Sequence, residues 1–446
     1  MKEYERIRPI ARVVAPVSKF IQKQTTGGII LMAATLLAII LANSPLSGFY
    51  HHFFQQTLGF TFNNATYFNF TFHHWINDAL MSIFFFAVGL ELKREIVGGE
   101  LSKPKKAMVP IMAAFGGMLF PALIYIALNP VGDVSKGWGI PMATDIAFAL
   151  GIIYLLGNRV PASLKVFLTA LAIADDLGAV LVIAFFYTSE ISIESLVLGL
   201  GFVGVMYAGN RMGVRHVLFY AVIGILGVWM AFLVSGVHAT IAAVLAAFTI
   251  PADVVIKETY FMKEIHSILH KFKSIDPKDK IPILTAEQLH LLGEIKTTTN
   301  HAIPPLQRLE HVLHPIVAFI ILPVFALANA GISFASGTGQ LFSTHVALGV
   351  AGGLLIGKVT GVVLFTLIAC GFKLKNLPNG MNLPNLIGLG FLASIGFTMS
   401  LFITELAFHP HEDYILQAKA GIMGASVIGG LIGYTLLKIY SNTKRV

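Results

Sequence analysis

This chain predicts an all-α polytopic membrane protein of twelve transmembrane helices, and three observations carry that reading. Of its 446 residues, 56% are hydrophobic and only 12% charged, with a mean hydropathy of +0.77; a soluble domain is usually about 25% charged. The apolar residues gather in runs of about 17–25, the length a helix needs to cross roughly 30 Å of hydrocarbon. The lysines and arginines between those runs fall almost entirely on one side.

The runs cover 27–43, 75–91, 107–128, 137–156, 161–186, 192–209, 216–234, 236–251, 312–330, 343–371, 384–405 and 415–438. The eighth is short, and a turn at Ser235-Gly236 separates it from the seventh. With the N-terminus in the cytoplasm, that side receives six Lys and Arg in the tail, five in 92–106 and eight in 252–311. Arg159 and Lys165, Arg211 and Arg215, and Lys373 and Lys375 add pairs, and the C-terminal end adds three, giving 28 of 31. Positive charge marks the cytoplasmic face, so both termini are predicted there. Only Lys136 and Lys419 lie opposite, and Lys358 is inside the tenth run. The chain therefore divides into a cytoplasmic tail 1–26, a membrane block 27–251, a cytoplasmic loop 252–311, a second block 312–438 and a tail 439–446.

Two segments outside the runs carry their own patterns. "FTFNNATYFNFTF" alternates aromatic and polar residues around Asn63-Asn64, which predicts a β-hairpin over 59–72. In the long loop, Phe261, Ile265, Ile268, Leu269 and Phe272 form one apolar helical stripe, which suggests a helix lying on the inner leaflet or a small soluble cap. A single cysteine, Cys370, excludes a disulfide framework and any Cys-based metal site. The net charge of +8 belongs to no separate basic domain, so it reads as membrane-surface charge toward lipid and not as a nucleic-acid interface. The N-terminus lacks the layout of a signal peptide.

Against this apolar background, Asp175 and Asp176 stand side by side in the middle of the fifth run, "LTALAIADDLGAVLVIAFF". Asp145 and Lys358 lie at the centres of the fourth and tenth, so four ionisable groups from three helices meet at one depth. Each costs about 2.5–3.5 kcal/mol on insertion scales, more than a packing role commonly explains. Neighbouring residues on a helix point about 100° apart, so one aspartate is expected to face Lys358 and the other a water-filled cavity. A lysine and a second carboxylate pull on these protons in opposite senses, and the pair titrates as a coupled unit. Carboxylate oxygens also suit a hard cation. Pro141, just before Thr144 and Asp145, predicts an interruption of the fourth helix; Gly388, Gly390 and Gly396 mark the comparable part of the eleventh. Either segment alone could be an ordinary kinked helix, but two interrupted helices in corresponding halves point to a transporter built from inverted repeats.

At these residues the sequence resembles the NhaA-type bacterial Na+/H+ antiporter family. The stretches that carry the likeness include "WINDALMSIFFFAVGLELKREI", "PMATDIAFALG", "SGVHATIAAVL", "LEHVLHPIVAFIILPVFALANAGI", "GLLIGKVTG" and "ASIGFTMSLFI". The inverted-repeat reading is not independent of this likeness, because the family is among those that define that architecture. The resemblance implies that Asp175 and Asp176 bind cation and protons, that Lys358 pairs with the first of them, and that Thr144 and Asp145 offset the half-helix dipoles at the crossing. It assigns Asp78 to the outer end of the second helix. Glu91, Arg94, Glu95, Glu310, His311 and His314 become a cytoplasmic cluster for pH activation, and His238 is linked to the pH response. It also implies a homodimer formed through the hairpin. The 252–305 loop is longer than expected for the family.

These readings give an electrogenic, pH-regulated exporter of Na+ or Li+ in exchange for H+ in a bacterial inner membrane, with no cofactor. A Na+-coupled symporter of an organic solute is the alternative, although the residues near the crossing are mostly Ala, Gly, Leu and Phe. An intramembrane aspartyl protease would need its aspartates on separate helices, and here they are adjacent.

Overall fold

The computed structural model describes residues 24–441 except 63–64, 189–190, 276–282, 334–340, 374–376 and 379–380. Most of both terminal tails, the Asn63-Asn64 turn and Lys375 therefore lie outside the described residues. Helix α1 spans Gln24–Ala42 and α2 Ser47–Gln55; strands β1 (Thr57–Phe62) and β2 (Ala65–Thr71) follow. Then come α3 (Phe72–Gly98), α4 (Pro104–Leu128), a 3-10 segment Asp133–Met142, α5 (Ile146–Leu155), α6 (Ala162–Phe186), α7 (Ile193–Arg211), α8 (Val217–Ser235) and α9 (Ala239–Thr249). A pair, α10 (Glu258–Ser274) and α11 (Ala286–Ala302), precedes α12 (Pro305–Asn329), α13 (His345–Ala369), α14 (Leu383–Ala393), α15 (Phe397–Phe408) and α16 (Glu412–Tyr440).

Nine helices among the described residues are long and apolar enough to cross a membrane, or eleven if each of two bent pairs counts as one. The chain is thus a multi-pass membrane protein. The run expected at 236–251 is the short apolar helix α9, set off by Gly236 at φ 82°, a left-handed turn that favours glycine. The first expected span continues after a 111° bend into α2, which the hydropathy pattern does not show. The predicted hairpin is present, with β1 and β2 antiparallel and Thr57 opposite Thr71.

In the long loop the stripe on α10 is not left for lipid alone. Ile268 is buried against α11, whose Leu291 is buried in turn. Helix α11 starts at a capping box in which Thr285 and Gln288 satisfy each other's backbone N–H. The segment is a helical hairpin, and its second helix escapes a reading based on one apolar stripe.

The membrane-spanning helices are apolar on all sides, and small residues set how they pack. A Cβ on Gly361 of α13 would lie 2.0 Å from the carbonyl oxygen of Gly116 on α4, so the two helices meet backbone to backbone. Helices α4, α6, α13 and α16 surround the 3-10 segment and α14–α15, while α3 packs on α9 and α12. Outward faces such as Leu198, Ile225 and Leu226 remain exposed, as side chains facing hydrocarbon must be.

Candidate functional site

Both expected interruptions are present and they touch. The 3-10 segment ends at Met142, just after Pro141, residues 143–145 lie outside any helix, and α5 starts at Ile146. Between α14 and α15 the chain bends by 45° at 394–396; Gly396 lies in this break, whereas Gly388 and Gly390 lie within α14. The two breaks pair through their backbones, the Asp145 N–H donating to the Ile395 carbonyl at 2.6 Å.

Breaking a helix at membrane depth leaves backbone groups that water cannot reach, and several of them find a side chain here. One Asp145 oxygen accepts from the Phe148 N–H at the start of α5 (3.1 Å). The other accepts from the Thr398 N–H (2.9 Å) and hydroxyl (2.6 Å) at the start of α15. One carboxylate therefore caps two half-helices and places negative charge at both positive ends. Thr144 Oγ lies 2.9 Å from the Ala393 carbonyl at the end of α14 and 2.6 Å from Asp175 Oδ2, with one proton to share. The Ser400 hydroxyl donates to the Ile140 carbonyl at 2.7 Å. Thr398 and Ser400 carry no sequence signal that sets them apart from other hydroxyls in apolar runs.

Lys358 is the last residue of a π-helical turn, Gly353–Lys358, of α13. Its ammonium donates both to the Met142 carbonyl, at the end of the 3-10 segment, and to Asp175 Oδ2. Asp145, Asp175 and Asp176 are each 1% exposed and Lys358 is fully buried. The expectation that one aspartate faces a water-filled cavity is therefore corrected: both are buried. Asp175 Oδ1 and Asp176 Oδ1 are buried without a hydrogen-bond donor. Two adjacent carboxylates with orphaned oxygens and one lysine can receive protons or a hard cation. No cluster of three His, Cys, Asp or Glu suited to a metal occurs among the described residues.

The second expected cluster divides. Arg94 reaches three acids, with Nη2 3.2 Å from Glu95 and 3.7 Å from Glu91. Its Nε lies 3.0 Å from Glu310 on α12, an ionic contact without hydrogen-bond alignment. Glu91, Glu310 and His314 line a cavity of about 140 Å³ that extends to Ile146 and Ala147 at the start of α5. His311 is exposed one turn away. His238 precedes α9, and its Nε2 meets the Tyr187 carbonyl at 2.8 Å, holding the end of α6. Asp78 pairs with His74 at 3.0 Å.

Interrupted helices whose termini surround buried charges at mid-membrane are the architecture of secondary transporters. A family model described as Na+/H+ antiporter 1 matches residues 18–437, and the chain belongs to that family. It is 47% identical over 430 residues to the Na(+)/H(+) antiporter NhaA 1 of Saccharophagus degradans, covering 96% of this chain and 92% of the relative. It is 46% identical over 437 residues to the NhaA of Oleidesulfovibrio alaskensis, with 97% and 95% covered, and 46% identical over 428 residues to that of Christiangramia forsetii, with 96% and 95% covered. These relatives are named as transporters, and they lend nothing to the organic-solute symporter.

Proposed function

We propose that this protein is a Na+/H+ antiporter of a bacterial inner membrane, exporting Na+ or Li+ by alternating access while protons enter. The observation that carries this reading is the adjacent pair Asp175 and Asp176, each with a buried oxygen lacking a donor, beside a single lysine. In this reading Asp176 has no cation of its own and takes up either a proton or the transported ion. Asp175 releases Lys358 when that ion arrives, so cation and ammonium exclude each other. Thr144 follows Asp175, and Asp145 keeps the two breaks joined while the site changes the side to which it opens. The cycle moves two protons for one cation and is electrogenic. Twelve crossings, with α9 among them, leave both termini and the 252–311 segment cytoplasmic and the hairpin outside, where two copies dimerise. Arg94 with Glu91, Glu95 and Glu310, together with His311 and His314, adjusts activity to cytoplasmic pH; His238 contributes to that response, and Asp78 is the acid at the outer end of the second span.

The test is Na+-driven proton flux in proteoliposomes. Asp176→Asn keeps volume but cannot alternate between proton and cation, so flux is abolished while the protein still inserts. Near-normal flux after that substitution removes the central claim.

A further inference from the structure

At the hairpin end of α3, opposite the Arg94 cluster, a partly buried polar ring joins three side chains. The Asn329 Nδ2 of α12 donates to the Phe325 carbonyl (3.0 Å) and to Asn77 Oδ1 (2.9 Å), which fixes both amides. Asn329 Oδ1 is then turned to His73 Nε2 (3.0 Å) and Asn77 Nδ2 to His73 Nδ1 (3.4 Å). An amide oxygen only accepts and an amide nitrogen only donates. The ring is therefore satisfied by one form of His73, the neutral tautomer with its proton on Nε2.

A second proton, on Nδ1, would face the Asn77 NH2 donor to donor. The acceptor within reach is Glu405 of α15, whose Oε1 lies 4.0 Å from His73 Nε2 and 2.9 Å from Lys419 of α16. The charges acting on His73 are Glu405, Lys419 and His74 of its own helix, and His74 is itself paired with Asp78; α12 presents the neutral Asn329. His409 adds charge near Glu405. Helix α2 meets this turn by stacking Phe53 on Phe72, and its His51 and His52 point outward as exposed residues.

We propose that His73 is a proton-operated latch. Neutral, it ties α3 to α12. Protonated, it leaves Asn77, turns to Glu405 and ties α3 to α15, a half of the broken pair that carries the crossing. Acid at the hairpin face then slows exchange, independently of the Arg94 cluster at the other end. This inference rests on the antiport reading above.

The experiment uses vesicles with the pH of the hairpin face stepped from 8 to 4, a step that runs past the range in which an ordinary histidine changes charge, and the other face held constant. The driving force is the same for wild type and mutants, so each mutant is read as a ratio to the wild type. Across the step, wild-type exchange falls about threefold more than that of His73→Gln or Glu405→Gln, the factor one partly exposed ion pair supplies. His314→Gln keeps the full wild-type fall. A readout that needs no transport accompanies it: amide hydrogen exchange over 404–408 slows in acid in the wild type but not in His73→Gln. Identical acid responses in wild type and His73→Gln, by both measures, overturn the latch. A wild type without Na+-driven flux but with the amide difference intact supports the latch and overturns the antiport reading instead.

Discussion

Replacing Thr398 by Val tests whether one carboxylate holds the two broken helices together. The substitution keeps the β-branched shape and the Thr398 backbone N–H, and removes a hydroxyl 2.6 Å from Asp145 Oδ2. Both residues are buried, at 2% and 1% exposure, so no water replaces the lost donor. A hydrogen bond to a charged group contributes about 1.5–3 kcal/mol, and Oδ2 keeps one of its two donors, the Thr398 N–H. The expected loss is about 2 kcal/mol. With an unfolding entropy of about 2.1 cal/mol/K per residue, that lowers Tm by about 2 °C in a chain of this length. Tryptophan fluorescence during thermal unfolding in detergent reads the shift. Thr435→Val, at an exposed threonine of α16, serves as control and should stay within about 0.5 kcal/mol. Repeating Thr398→Val in an Asp145→Asn background completes a double-mutant cycle, where the loss should shrink by about 1–2 kcal/mol. Equal losses in both backgrounds would show that the two residues are uncoupled and the shared cap is wrong.

Gly361→Ala places a Cβ against the Gly116 carbonyl and should cost about 3 kcal/mol in thermal stability; Gly352→Ala on the same helix, whose nearest atom is 3.6 Å away, should be neutral or stabilising. Exchange should respond to imposed voltage, since one net charge per cycle is worth about 2.3 kcal/mol per 100 mV; proteoliposomes clamped with potassium and valinomycin report it, and indifference of rate and equilibrium ion ratio to voltage would refute the two-proton cycle. In a Cys370→Ser background, Lys273→Cys should resist an impermeant thiol reagent added to intact cells while Asn64→Cys reacts, and the reverse would overturn the orientation.

What could be read from the sequence follows from the range over which each signal acts. The acids of α6, Lys358 and the break at Pro141 stand out because a membrane tolerates neither charge nor broken backbone without cause. Adjacent placement of Asp175 and Asp176 suggested that one would face Lys358, and Asp175 does. It could not reveal that Asp176 is sealed as well, because closure comes from other helices. Thr398 lies 253 residues from its carboxylate, and a threonine inside an apolar run looks like any other. Helix α2 is hidden because its histidines and glutamine weaken an apolar run, and α11 because it is stabilised by a cap and by α10. The His73 ring joins two helices through three polar residues, each of which looks unremarkable alone.

The shared cap at the crossing also bears on how the chain is made. A polypeptide enters the membrane from its N-terminus, so α5 and the extended turn before it arrive long before α15. Until then the Asp145 carboxylate has the Phe148 N–H but not the pair of donors at Thr398, and its own N–H lacks the Ile395 carbonyl. The middle of the nascent protein therefore carries an acid and an open backbone turn that only a segment some 250 residues downstream can satisfy. The crossing is thus completed late in assembly, when α15 and then α16 arrive, and a chain that stops short of α15 leaves Asp145 and the turn before α5 without these partners in lipid.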